Sequence, residues 1–72
     1  MEVRAHIDLQ TLANRMSAET GRRYDPEAAA GFLRGAGCRA EGDVWVVPVI
    51  VLGALRHSEI RIIRDGTQSQ VS

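Results

Sequence analysis

Three side chains in this sequence are soft enough to hold a transition metal: Cys38, His6 and His57. A zinc site needs three or four converging donors, usually announced by Cys or His pairs two to four residues apart, and no such pair is present. Cys38 as a nucleophile would need a neighbouring base, yet both histidines are far from it along the chain, so it reads as a small, partly buried apolar residue. Among the acids, Asp25 and Glu27 stand at a helix start while Glu41 and Asp43 flank a turn, an arrangement suited to capping and solvation and not to paired acid–base work. Gly35-Ala36-Gly37 lacks the preceding strand and following helix that would aim amides at a phosphate. No catalytic residue, metal or cofactor is expected.

The basic residues are the remaining chemistry. Nine basic residues balance nine acidic ones, so net charge supplies no pull toward nucleic acid or anionic lipid. Every base is arginine, which GC-rich coding explains and which also suits bidentate contact with phosphate. Arg22 and Arg23 in a connection, Arg34 near a helix end and Arg39 at the start of a hairpin are the candidate nucleic-acid contacts.

Seventy-two residues make one domain at most. The expected domain spans residues 1–66, with a polar, frayed tail over 67–72. A core of this size rarely supplies more than about 3 to 5 kcal/mol without a staple or a partner subunit. One cysteine excludes a disulfide within the chain. With no leader peptide evident, a reducing cytoplasm is the expected location. The longest apolar run, Val44 to Leu55, is interrupted by Pro48 and Gly53 and falls short of the ~20 residues a membrane span requires.

Hydropathy spacing supplies the elements that must position these groups. Val3, Ala5 and Ile7 alternate with polar residues, the period of a strand. Asp8 then takes the N-cap position before Leu9, Leu12, Ala13 and Met16, so a first helix is expected from about Leu9 to Glu19, closed by Thr20-Gly21. Asp25-Pro26-Glu27 signals a second helix start, and that helix should run to about Ala36 with Ala29, Phe32, Leu33 and Ala36 inward. Glu27, Ala28, Ala30, Gly31 and Arg34 would then face outward. Past Gly37 the period shortens to two, predicting a hairpin that turns at Glu41-Gly42 and returns through Val44 to Val47, with Trp45 in the core and Tyr24 over the helix corner. Val49 to Arg56 suits either a strand or a short helix, and Glu59 to Ile62 predicts a last strand ending near Arg64.

Strand, helix, turn, helix, hairpin is an order that resembles the winged helix-turn-helix family. The resemblance is carried by Ile7-Asp8-Leu9-Gln10-Thr11-Leu12-Ala13, similar to that family's short strand and first helix, and by Phe32-Leu33-Arg34-Gly35-Ala36-Gly37, similar to its second-helix ending. Glu41 to Val47 would be the wing, and the match covers residues 3 to 47 as a pattern of apolar spacing. Two features differ: no helix precedes the first strand, and the connection from Thr20 to Asp25 is longer than a tight helix-turn-helix corner. A generic α+β domain, with two helices on an antiparallel sheet, explains nearly the same spacings.

The resemblance implies a small DNA-binding or regulatory module, with the second helix as the reading element. That helix offers few readers, since alanine and glycine donate nothing to base edges and Glu27 repels phosphate. The same small residues permit close approach of another backbone, so a protein-interaction module is the alternative reading, of the adaptor or inhibitor kind that mobile elements encode, or a homodimeric structural domain. Its expected interface comprises Ala30, Gly31, Trp45 and Val47.

Overall fold

The computed structural model describes residues 1–63; the expected end of the last strand near Arg64 and the tail from Thr67 lie outside them. The described chain is α+β. In order it forms β1 (Glu2–Ile7), α1 (Leu9–Thr20), α2 (Pro26–Gly35), β2 (Arg39–Glu41), β3 (Val44–Pro48), α3 (Val49–Leu52) and β4 (Ile60–Ile62). The sheet is antiparallel throughout, in the order β2-β3-β1-β4.

Both long helices begin where a carboxylate can satisfy a free amide. Asp8 accepts from the Thr11 amide at 3.1 Å and Asp25 from the Ala28 amide at 2.8 Å. At the end of α2 the amides of Gly37 and Cys38 turn back to the carbonyls of Arg34 and Leu33, and Gly37 takes the left-handed φ of 101° that this closure needs. Between α1 and α2, the Ser17 hydroxyl donates to the Ala13 carbonyl and accepts from the Tyr24 amide at 2.9 Å, fixing the length of the connection.

The β2–β3 hairpin closes on the pair Glu41 and Val44, with Gly42 the left-handed residue of its two-residue turn (φ 63°). Positive φ at the first turn position alone is the II′ geometry, whose twist matches that of the strands. The segment that suited either a strand or a helix is a single helical turn, α3, because Pro48 begins it without a ladder amide and Gly53 ends it. Glu59 belongs to the turn before β4 and not to the strand itself.

One face of the sheet meets the helices. Cross-strand pairs Val3 with Val47, Ala5 with Trp45 and Ala5 with Ile62 put these residues on the same side. There Ala5, Trp45 and Val47 join Leu12 and Ala13 of α1, Ala29, Ala30 and Leu33 of α2, and Cys38, Val51 and Leu55 in one core. Helix α1 presents the expected Leu9, Leu12, Ala13 and Met16. Helix α2 is rotated from the expected phase: its buried residues are Ala29, Ala30 and Leu33, whereas Phe32 is 44% exposed and Ala36 also lies at the surface. The stripe Pro26, Ala29, Ala30, Leu33 follows i, i+3, i+4, i+7, and small Ala30 allows α2 to approach closely where a larger residue would hold it off.

The opposite face carries charge around Val44, Val46 and Pro48 of β3. Val46 is flanked by Arg4 on β1 and Arg39 on β2 and is only 5% exposed. Over it Arg4 pairs with Glu41 at 3.6 Å, and Arg39 pairs with Glu2 at 3.5 Å and Glu41 at 3.4 Å. The aliphatic stems of the arginines cover Val46 while their heads stay in water.

Candidate interaction surface

Helix α2 is the element through which either expected function would act, and its surface follows from the rotation just described. With Ala29, Ala30 and Leu33 buried, the exposed residues are Glu27, Ala28, Gly31, Phe32, Arg34 and Gly35. At about 100° per residue, Ala28, Gly31 and Gly35 point directly away from the core, Glu27 and Arg34 lie along one side two turns apart, and Phe32 lies along the other. A Cβ placed on Gly31 or Gly35 would meet no atom of the chain within 4 Å. A mid-helix glycine costs up to about 1 kcal/mol relative to alanine, so packing within the fold gives no reason for Gly31.

The expected partner-facing residues are divided by the fold. Gly31 lies on the surface, but Ala30 (6% exposed), Trp45 (7%) and Val47 are in the core and unavailable to a partner. Alternation along β3 turns Trp45 and Val47 toward the helices, and the phase of α2 carries Ala30 inward. Most of the apolar run that suggested an interface is used by the chain itself, leaving Val49 and Ile50 exposed beside Met1, whose carbonyl accepts from the Val49 amide.

The four candidate phosphate contacts are not brought together as equivalents. Arg22 and Arg23 are exposed in the α1–α2 connection and form no ion pair among the described residues. Arg39 is held by Glu2 and Glu41, so its charge is answered before any phosphate arrives. The guanidinium of Arg34 sits over the Trp45 ring, 5.7 Å from its centroid, a cation–π contact that also closes the surface edge of the core. The hairpin turn ends in Glu41 and Asp43, which repel a phosphate backbone.

Both histidines, remote in sequence, line one open depression of about 520 Å³ with Asp8, Ser58 and Arg61. Among the described residues no group of three or more His, Cys, Asp or Glu side chains could hold a metal ion. Asp8 is committed to the α1 cap, and the Thr11 amide holds its carboxyl below the usual range. Cys38 is buried, and burial pushes its thiol up and away from nucleophilic use. No helix among the described residues is long and apolar enough to cross a membrane.

The residue that sequence reasoning missed is Glu59, 1% exposed. Arg15 of α1 grips its carboxylate with Nε and Nη2, and Nη2 also donates to the Ala54 carbonyl at 3.0 Å. The Arg56 amide donates to Glu59 Oε1 at 2.9 Å, and the Glu59 carbonyl accepts from the Asp8 amide at 2.8 Å. This assembly joins the α3–β4 connection to the start of α1 and to β1, and is structural. Its only sequence signal was an acid immediately before β4 and an arginine on α1, separated by 44 residues. Comparison of the chain with protein-family models, curated proteins and solved structures finds no match.

Proposed function

We propose that this chain is a non-catalytic interaction module that docks a protein through the outward face of α2. The observation that carries this reading is the character of that face. Its centre is Ala28, Gly31 and Gly35, open to solvent, with the exposed ring of Phe32 alongside. Small residues let a second backbone come close, and an aromatic at the edge supplies apolar area. The face has little with which to read bases, since alanine and glycine donate nothing to base edges and it carries a single arginine beside the acid Glu27.

Duplex DNA is the second reading. It is favoured by Arg22 and Arg23 standing adjacent and exposed ahead of α2, where phosphate contacts would orient a reading helix. The two readings differ in salt dependence, because phosphate contacts release counterions and an apolar interface does not. Photo-crosslinking from the position of Ala28 is expected to give protein adducts that Gly31→Arg removes. A shift of mixed-sequence duplex at low salt, lost at high salt and abolished by Arg22→Ala with Arg23→Ala, would assign the function to DNA instead.

A further inference from the structure

The order of charge along α2 says what kind of surface would fit it. Glu27 and Arg34 lie on one side of the helix, seven residues and two turns apart, with the small residues beside them and Phe32 on the far side. A two-fold axis perpendicular to the helix and passing near Gly31 reverses the direction of a second α2 while keeping like sides together. The acid at the start of one helix then lies by the arginine at the end of the other, and the converse pair forms by symmetry. Gly31 meets Gly31 at the crossing, where neither chain has a side chain to hold the backbones apart. Phe32 meets Phe32 along the opposite side. The antiparallel arrangement also sets the helix dipoles favourably.

We infer that the occupant of this face is a second copy of the chain, bound as an isologous dimer through antiparallel α2 helices. The inference rests on the protein-docking reading of α2 and names its partner. Small residues alone would admit many neighbours; the opposed charges select this one, because a parallel two-fold pair would exchange the sides, carry Glu27 and Arg34 of each copy toward Phe32 of the other, and leave both charges unanswered. The contact with Trp45 holds the Arg34 guanidinium at the edge of the face, so less side-chain freedom is lost on pairing. The formal net charge of zero leaves no long-range repulsion between copies. A helix of ten residues is about 15 Å long and gives a contact below the ~1,200 Å² of stable complexes, so the dimer is weak.

Sedimentation equilibrium from ~10 µM to ~2 mM tests this, with circular dichroism to verify that each variant is folded. The full chain should move from monomer toward dimer mass over that range. Glu27→Arg and Arg34→Glu should each raise the dissociation constant roughly tenfold, since each reversal turns two symmetric attractions into repulsions. The double variant should recover the original constant that each single reversal raised, and this loss followed by recovery is not predicted by a parallel pair or by a merely structural role for either residue. Gly31→Arg should abolish the dimer while keeping the monomer folded, as the space at Gly31 is open. A chain monomeric at ~2 mM, or a dimer indifferent to both reversals, would overturn the inference. Either result leaves α2 free to dock a different protein, a reading that falls separately if the crosslinks of Ala28 are not to protein.

Discussion

The carboxylate of Glu59 lies buried against the guanidinium of Arg15, with both oxygens engaged and the Arg56 amide as a further donor. Its three donors come from two residues, Arg15 of α1 and Arg56 three positions before Glu59 in the chain, and together they pin the connection between α3 and β4 onto α1. Arg56 adds an exposed pair with Glu19 at 3.2 Å, and Arg15 reaches the same Glu19 at 3.1 Å. The network is anchored at Glu59 and fades toward solvent.

Removing one partner of such a pair leaves the other desolvated and unanswered, at a cost typically of about 3 to 5 kcal/mol when both are fully buried. Arg15 retains 20% of its side-chain exposure, so about 2 to 3 kcal/mol is expected here for Glu59→Ala. That is a large part of the stability available to a chain this small. Urea denaturation should show a clearly lowered midpoint for Glu59→Ala, whereas Glu19→Ala should change it by less than about 0.5 kcal/mol; equal effects would place the anchor elsewhere.

Acid should act on the same carboxylate. The hydrogen bond from Arg15 holds Glu59 below its ordinary value of 4.5, with the Arg56 amide and the arginine charges adding to the effect against the opposing cost of burial. A carboxyl depressed on folding contributes stability that is fully present above its unfolded value and is lost as pH falls through the folded one. The unfolding midpoint should therefore be flat in this respect above about pH 5 and decline below about pH 4.5. Thermal melts from pH 3 to pH 7 should show a shallower acid decline in Glu59→Gln, though from a lower starting stability.

At Gly31 the expected change has the opposite sign. A Cβ there meets nothing within 4 Å, and alanine suits a helix interior better than glycine by up to about 1 kcal/mol. Measured at low micromolar concentration, below the range of the proposed dimer, Gly31→Ala should raise stability by roughly 0.5 to 1 kcal/mol. A loss instead would mean that α2 tolerates no side chain at that position even in the monomer.

Cys38 should be slow to react. It is buried, its amide closes α2 on the Leu33 carbonyl at 2.9 Å, and burial raises its thiol above the usual value. Reaction with an aromatic disulfide reagent at pH 7.5 should be on the order of 100-fold slower in the native chain than in denaturant, limited by opening of the fold. Comparable rates in the two conditions would contradict its burial.

Local signals in the chain determined most of the element order. Asp8 and Asp25 as caps, Pro26 at the first position of α2, the glycine before Asp43 in the hairpin and the change of period after Gly37 each act within a few residues, so they are legible without coordinates. The phase of α2 was not legible, because six of its ten residues are alanine, glycine or proline, which differ little in hydropathy, and neighbouring stripes compete nearly equally. Packing against Ala5, Trp45 and Val47 chose the stripe with Ala30 inward and Phe32 outward. Distance along the chain hid the rest: only folding brings Arg15 to Glu59, sets Val46 between Arg4 and Arg39, and lays Arg34 on Trp45. Short-range stereochemistry wrote the elements, whereas burial of polar groups and the choice of exposed face required every element to be in place at once.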